Sequence, residues 1–318
     1  MTTDDLLLIL SDGRFHSGEA IAQQLNTTRA SIWKYIKQLR SLGADIYSVK
    51  GKGYRIPGGL ELLDQAWLTQ ALKSFTQPEN IHVVTSIAST NQFLLNQTSN
   101  PSPQICVAEY QSSGRGRLGR NWHSPFARNI YLSMRQTLPL PIDALSGLSL
   151  AVGCRIADAL TSLGAMGVQL KWPNDLRVNG RKLGGVLVEI AGQSDSGCEL
   201  VIGLGLNWDM SEDSPIDQHW QNLKPLVNSR VSRNHVVATL CKALAACLTD
   251  FSQFGFSHFK ADWEQLDEFK NKPVVLLQGN KKTVGVSRGV DTSGALLLEK
   301  DGSVMSFIGG EVSLRLLT

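Results

Sequence analysis

Gly114-Arg115-Gly116-Arg117-Leu118-Gly119-Arg120 puts three guanidinium groups on a glycine-rich loop. Glycines let a backbone bend tightly and come close to a ligand, and arginines grip carboxylates and phosphates with a planar fork of donors. Residues 114–119 also satisfy G-x-G-x-x-G, but a dinucleotide-binding turn needs a strand before it and a helix after it. Ile105 to Tyr110 reads as the strand. Arg120-Asn121-Trp122-His123-Ser124-Pro125 has no helical apolar period and runs into a proline, so no helix follows. The loop therefore reads as an anion clasp, with an arginine-decorated surface turn as the plainer alternative.

Downstream stand Lys171-Trp172-Pro173-Asn174-Asp175 and Arg181-Lys182-Leu183-Gly184-Gly185. Val168 to Lys171 starts a strand, and Asn179-Gly180 signals a hairpin between Leu176–Val178 and Leu183–Ile190. Gly184 and Gly185 strip side chains from one end of the second strand, and Val201 to Asn207 repeats the device with glycines on one face and apolar residues on the other. Two such strands beside Lys171 and Lys182 read as a sheet floor under a flat ligand with an anion nearby, or as bulged strands with solvated lysines. Upstream, Ile81 to Val84 reads as a strand. Ser89-Thr90-Asn91-Gln92 then opens a helix, where Ser89 with Gln92 fits a capping box; capping alone explains both, and the other reading aims these polar groups into a pocket. Leu62 to Phe75 and Ala144 to Leu163 read as helices.

The N-terminal sixth carries the charge asymmetry. Residues 1–60 hold eight of the 31 Lys/Arg but five of the 28 Asp/Glu, a local excess equal to the whole chain's net charge of +3. Leu6 to Leu10 suits a first helix. Ser17 caps a second, and Thr28 to Leu42 forms a third with Ile32, Ile36, Leu39 and Leu42 on its apolar face. Ile46 to Ile56 reads as a hairpin with a basic tip at Lys50-Gly51-Lys52-Gly53. This is a winged helix-turn-helix pattern. Arg29 and Ser31 then face base edges, Lys34 and Lys37 lie on the same helix, and Lys50 and Lys52 suit phosphates. The alternative is a small helical docking domain with a solvated basic face.

Hydrophobic content of 42% and charged content of 19% are ordinary for a globular protein. From the acidic start and short early apolar run, neither a signal peptide nor a membrane partner is expected. Five scattered cysteines without a C-x-x-C pair point to a reducing, cytoplasmic setting without a structural metal. Short strands spaced by turns between Pro273 and Ile308 read as a small barrel.

The blocks Gly114–Arg120, Lys171–Asp175, Arg181–Glu189 and Val201–Asn207 resemble, in order and spacing, the signature blocks of biotin–protein ligases. With the winged helix in front, the whole chain is similar to the bacterial biotin ligases that double as biotin operon repressors. Leu118 departs from the pattern, standing where a basic residue often occurs. The resemblance implies an α+β chain: a winged helix-turn-helix DNA-binding domain at 1–60, a central mixed-sheet biotin/lipoate-ligase-like catalytic domain at 61–268, and a C-terminal SH3-like small barrel at 269–318. It implies ATP and biotin as substrates with Mg²⁺, formation of biotinyl-5′-AMP, and transfer to a lysine of the biotin carboxyl carrier protein of acetyl-CoA carboxylase. The adenylate would be corepressor for a homodimer on biotin operator DNA.

By the same resemblance, Lys182, Arg117 and Arg115 are catalytic. Ser89, Thr90, Asn91, Gln111 and Gly116 join them around biotin. Arg120, Trp122, Lys171, Asn174, Asp175, Asn207, Trp220 and Arg315 serve ATP or the adenylate, with Mg²⁺ near Asn174 and Asp175; either tryptophan could equally be plain core. The closing segment Gly309 to Arg315 resembles the family's ending. The rival functions are a lipoate–protein ligase on the same central fold, and a ligand-sensing repressor that binds without reacting.

Overall fold

The structure is a computed structural model that describes residues 3–195, 197–309 and 312–317. Met1, Thr2, Gly310 and Glu311, which the sequence reading touches, lie outside the described residues.

The first unit runs α1 (Thr3–Leu10), α2 (Gly18–Gln24), α3 (Arg29–Ser41), β1 (Tyr47–Val49) and β2 (Gly53–Arg55). Ser17 caps α2 by accepting from Ala20 N, and Thr28 caps α3 by accepting from Ser31 N. The strands form the wing, Val49 pairing with Gly53. Ile32, Ile36 and Leu39 are buried with Leu6, Leu7 and Leu10, the outcome expected of a helical apolar stripe. Leu42, expected on that face, is only half-buried and ends the helix as its C-cap. Phe126, Ala127 and the partly buried Tyr110 join this core from the central unit.

The central unit contains α4 (Gln65–Leu72), β3 (Ile81–Val84), α5 (Thr90–Leu95), β4 (Gln104–Ala108), β5 (Asn129–Leu138), α6 (Leu148–Ser162), β6 (Val168–Lys171), β7 (Asp175–Val178), β8 (Arg181–Ser194), β9 (Gly197–Asn207), α7 (Arg233–Phe254) and α8 (Lys260–Leu266). Its mixed sheet has the order β3-β4-β5-β9-β8-β7-β6, with β3 and β4 parallel and the other pairs antiparallel. The helix expected at 144–163 is interrupted: Ile142–Leu145 forms a 3-10 turn, and α6 begins only after Gly147, whose φ of +79° puts a would-be Cβ 2.5 Å from Phe256. The Asn179-Gly180 turn has φ of +51° and +73°, the two positive values a tight type I′ hairpin requires.

Register decides which face carries the core and which is hollowed. Leu132, Leu204 and Val186 lie side by side, as do Met134, Ile202 and Val188; this face carries the main core with α6 and α7. These two helical regions are long and apolar enough to cross a membrane, and here that apolar character covers the sheet. On the opposite face Ser133, Gly203 and Leu187 align, beside Tyr131, Gly205 and Gly185. Side chains alternate along each strand, so Gly185, Gly203 and Gly205 hollow the same face. β8 outruns its neighbour: its pairing with β7 ends at Gly185, and Leu187 to Gln193 have strand pairing only on the β9 side among the described residues.

The last unit is an antiparallel five-stranded sheet of order β13-β12-β11-β10-β14, made of β10 (Pro273–Gln278), β11 (Lys281–Val290), β12 (Leu296–Lys300), β13 (Ser303–Phe307) and β14 (Val312–Leu316). No strong strand signal marks β14 in the sequence, yet it pairs with β10 and brings Arg315 opposite Val275. Trp172 is fully buried and donates its indole N–H to Gly294 O at 3.1 Å, tying this sheet to the central unit.

Candidate active site

The hollowed face of the sheet opens into a cavity of about 950 Å³. Every residue that the sequence reading assigns to biotin, ATP or catalysis lines it. Three walls converge there: the start of α5, the loop 111–123, and the turn joining β6 to β7 with the first residues of β8.

The α5 wall is a buried polar cluster. Ser89 caps the helix by accepting from Gln92 N at 3.4 Å. The reciprocal half of the capping box is missing, because Gln92 donates to Asn96 instead. Gln111 Oε1 accepts from Thr90 N at 2.9 Å. Asn91 donates its amide N–H to Glu189 at 2.7 Å, and its Oδ1 accepts from Ser133 Oγ at 2.5 Å. A Cβ on Gly203 would sit 2.3 Å from Asn91 Oδ1, so that glycine makes room for the amide. Neither Glu189 nor Ser133 is marked as a site residue by the sequence. Both reach the cluster through strand register rather than through a local motif.

The glycine–arginine loop folds as a tight turn. Gly116 N donates to Arg120 O at 2.7 Å, and Arg117–Gly119 forms a 3-10 turn. Leu118 stands at its tip with φ of +59°, exposed. Arg115 pairs with Glu189 at 3.0 Å. Arg117 donates to Gly309 O at 3.0 Å, and burial pulls its guanidinium below the ordinary arginine value. Arg120 is exposed. Trp122 lies against Gly205, where a Cβ would come within 2.7 Å of the indole, and its indole N–H is buried with no hydrogen-bond partner among the described residues. So Gly203 and Gly205 are filled by Asn91 and Trp122 respectively. Gly184 has another cause: it faces the other side and packs against Leu206 and Gly205 O.

The third wall is a charge cluster. Lys182 Nζ lies 2.6 Å from Asp175 Oδ1, and Lys171 Nζ lies 3.2 Å from Asp175 Oδ2. Burial pushes the Asp175 carboxyl up, but the two ammonium groups outweigh it and hold the group below the ordinary carboxylate range. Burial also pulls Lys171 down, against the attraction of Asp175. One carboxylate between two lysines leaves a net positive charge. Lys182 has three donors; Asp175 takes one, and the others are available to a ligand. Lys182 Nζ stands 5.5 Å from the Trp122 ring centroid. The backbone of Lys182 is held by His219 O, Gln221 N and the Asn207 side chain, the last donating to Lys182 O at 3.1 Å. Asn207 thus positions Lys182, and Trp220 sits on the segment paired with it. Asn174 clamps β8 by donating to Val186 O at 2.7 Å.

Asn174 and Asp175 do not fit a magnesium cage in this arrangement. Both Asp175 oxygens carry lysine ammonium groups, and the described residues contain no cluster of three or more His, Cys, Asp or Glu suited to a metal. On the winged unit, Arg29, Lys34, Lys37, Lys50 and Lys52 are exposed. Ser31 is half-buried and its hydroxyl lies 3.0 Å from the capping Thr28 hydroxyl, so its side chain is engaged in the cap rather than free for a base edge. Arg40 spends its guanidinium on Ile46 O and Ser48, fixing the wing to α3.

Residues 83–207 match the Biotin/lipoate A/B protein ligase family, residues 2–55 an HTH domain, and residues 270–315 the Biotin protein ligase C terminal domain. The chain is 44% identical over 313 residues to the bifunctional ligase/repressor BirA of Salmonella typhimurium, covering 98% of this chain and 96% of that one. The chain belongs to the bifunctional ligase/repressor family. Escherichia coli BirA is 43% identical over the same share of both chains. The biotin protein ligase of Aquifex aeolicus, solved in complex with biotin and ATP, superposes on this ligase/repressor with a TM-score of 0.65 at 28% identity, covering 75% of this chain and all of that one.

Proposed function

We propose that this ligase/repressor joins biotin to ATP in the 950 Å³ cavity and passes the biotinyl group to a carrier lysine. A biotin carboxylate oxygen attacks the α-phosphorus of ATP, and pyrophosphate leaves. The carrier amine then attacks the acyl carbon of biotinyl-5′-AMP, and AMP leaves. Both steps depend on positioning and on neutralising charge. The observation that carries the reading is the Lys171–Asp175–Lys182 cluster facing a glycine-floored cavity beside three arginines. In this reading Lys182 touches the biotin carboxylate and the α-phosphate together, held in line by Asp175 and Asn207. Arg115 and Arg117 take the carboxylate and phosphates. Ser89, Thr90, Asn91 and Gln111 face the ureido ring, while Trp122, Trp220, Arg120, Lys171 and Arg315 surround the nucleotide. No step is assigned to Mg²⁺.

The chain divides functionally at 60/61 and 268/269, and the winged unit presents its basic face to operator DNA. One recognition helix reads a short site, so repression calls for a dimer on two half-sites. The edge of β8 from Leu187 to Gln193, which has no second strand beside it among the described residues, supports strand addition as the mode of contact for the second subunit, for the carrier domain, or for each in turn. The carrier is the biotin carboxyl carrier protein of acetyl-CoA carboxylase. Five buried free cysteines fit a reducing cytoplasm. The test is ATP–pyrophosphate exchange: it should require biotin and be silent with lipoate. Exchange driven by lipoate, or none with either acid, contradicts the reading.

A further inference from the structure

We propose that Glu189 is a positioning residue for biotin: its carboxylate fixes the hydrogen-bond polarity of the cavity floor through Asn91 and moors the glycine–arginine loop through Arg115. This rests on the ligase reading above. Glu189 stands on β8 opposite Val201, one turn of the pleat beyond the pairing of Leu187 with Gly203. One of its oxygens accepts from both Asn91 Nδ2, at 2.7 Å, and Arg115 Nη2, at 3.0 Å. An ionised carboxylate only accepts. Asn91 must therefore turn its NH₂ to Glu189 and its carbonyl to Ser133, and the amide cannot flip without setting oxygen against oxygen. The Ser133 proton then goes to Asn91 Oδ1, at 2.5 Å, because that atom cannot donate. Thr90, whose hydroxyl oxygen lies 2.7 Å from Ser133 Oγ, must then give its own proton to Ser133, while Gln111 Oε1 accepts from Thr90 N. A single carboxylate thereby dictates which floor atoms present protons and which present lone pairs, the property that a urea-like ring with both donors and an acceptor would read.

The same oxygen holds one N–H of Arg115 and leaves the other guanidinium donors for the cavity. Glu189 thus links floor and lid. As a stabilising ion pair the contact is weak, since both side chains are partly exposed, at 36% and 24%, and such pairs contribute little to folding. A purely structural role and a positioning role therefore make different predictions.

The test is Glu189→Gln in the full-length enzyme, read by biotin-dependent ATP–pyrophosphate exchange. Glutamine keeps the shape but loses the charge and admits both amide orientations. The KM for biotin should rise about ten-fold while kcat at saturating biotin stays within about three-fold, because bound ligand itself orders floor and loop. The melting temperature should move by less than about 2 °C. On an Arg115→Ala background the same substitution should raise the biotin KM by less than about ten-fold, since the Arg115 path is already gone and only the Asn91 path remains. A wild-type KM in Glu189→Gln overturns the proposal, as does an undiminished effect on the Arg115→Ala background. Failure of the wild-type enzyme to catalyse exchange would instead remove the ligase reading on which the proposal rests.

Discussion

Lys182 sits 2.6 Å from one carboxylate oxygen, with its backbone held from both sides and its remaining donors open to the cavity. A group so preorganised stabilises developing charge without having to reorient. Lys182→Ala should therefore lose about 2–4 kcal/mol of transition-state stabilisation, measured as single-turnover formation of biotinyl-5′-AMP. Near wild-type rates would show that this lysine is only a partner for Asp175. Asp267 allows a test by pH. It is largely buried and lies where α8 meets the last sheet, and burial raises its carboxyl to about 6. A carboxyl raised above its unfolded value contributes stability at low pH and loses it as pH rises through about 6. Asp267→Asn keeps an acceptor for Phe269 N without the buried charge, so its melting temperature should gain on the wild type as pH rises from about 4 to about 6 and hold that gain above; a gain that shrinks as pH rises contradicts the sign. At this scale the sequence is most legible where chemistry comes in runs, as in Gly114–Arg120 and Lys171–Asp175. It is silent on Glu189 and Ser133, because each meets Asn91 only after three strands align.

Strand and helix placement follows the sequence closely where periodicity and turn chemistry agree. Asn179-Gly180 fixes its hairpin, and Thr28 and Ser17 cap the helices they precede. The misses have local causes. Gly147 splits an apolar stretch that otherwise reads as one helix. The sequence does not mark α7, whose Ala- and Cys-rich stripe is only weakly distinguished from its polar face. β14 follows a glycine pair and gains its strand character from pairing with β10. The hollowed face of β9 gives an element-scale prediction. Gly203→Ala drives a methyl into Asn91, at 2.3 Å from Oδ1. It should weaken biotin binding by about 1–3 kcal/mol, the usual range for overpacking, as read by titration calorimetry with ATP binding little changed. Equal loss for both ligands would mean that the sheet, not the floor, has been disturbed. The loop at 114–120 is folded here on two tethers, Glu189 and Gly309 O. Biotin with ATP should protect its arginines from trypsin, since neutralised guanidinium groups no longer repel one another; cleavage at an unchanged rate would rule out a lid.

The whole molecule is stitched together beneath its first linker. Arg233 is fully buried at the start of α7, donating to Glu109 at 2.8 Å, to Glu61 O at 2.6 Å and to Asn129 O at 2.8 Å. Glu109 also accepts from Leu63 N at 2.6 Å, so the segment leaving the winged unit is bound to the strand that leads into the ligand loop. Phe126 and Ala127, just past that loop, pack in the winged-helix core. Glu109→Ala strands a buried guanidinium and should cost about 3–5 kcal/mol of stability, measured by urea unfolding; a loss below about 1 kcal/mol would mean the pair is dispensable. These contacts join the end of β4 and the segment past the loop at 111–123 to the winged unit. Under the proposed function one intermediate, biotinyl-5′-AMP, both feeds the carrier and assembles the repressor. The decisive measurement is sedimentation velocity at micromolar protein, with and without biotinyl-5′-AMP and with operator DNA added. The expected result is a monomer without the adenylate, a dimer with it, and tighter operator binding by the dimer. A chain that stays monomeric with adenylate bound, and whose affinity for operator does not change, would contradict it.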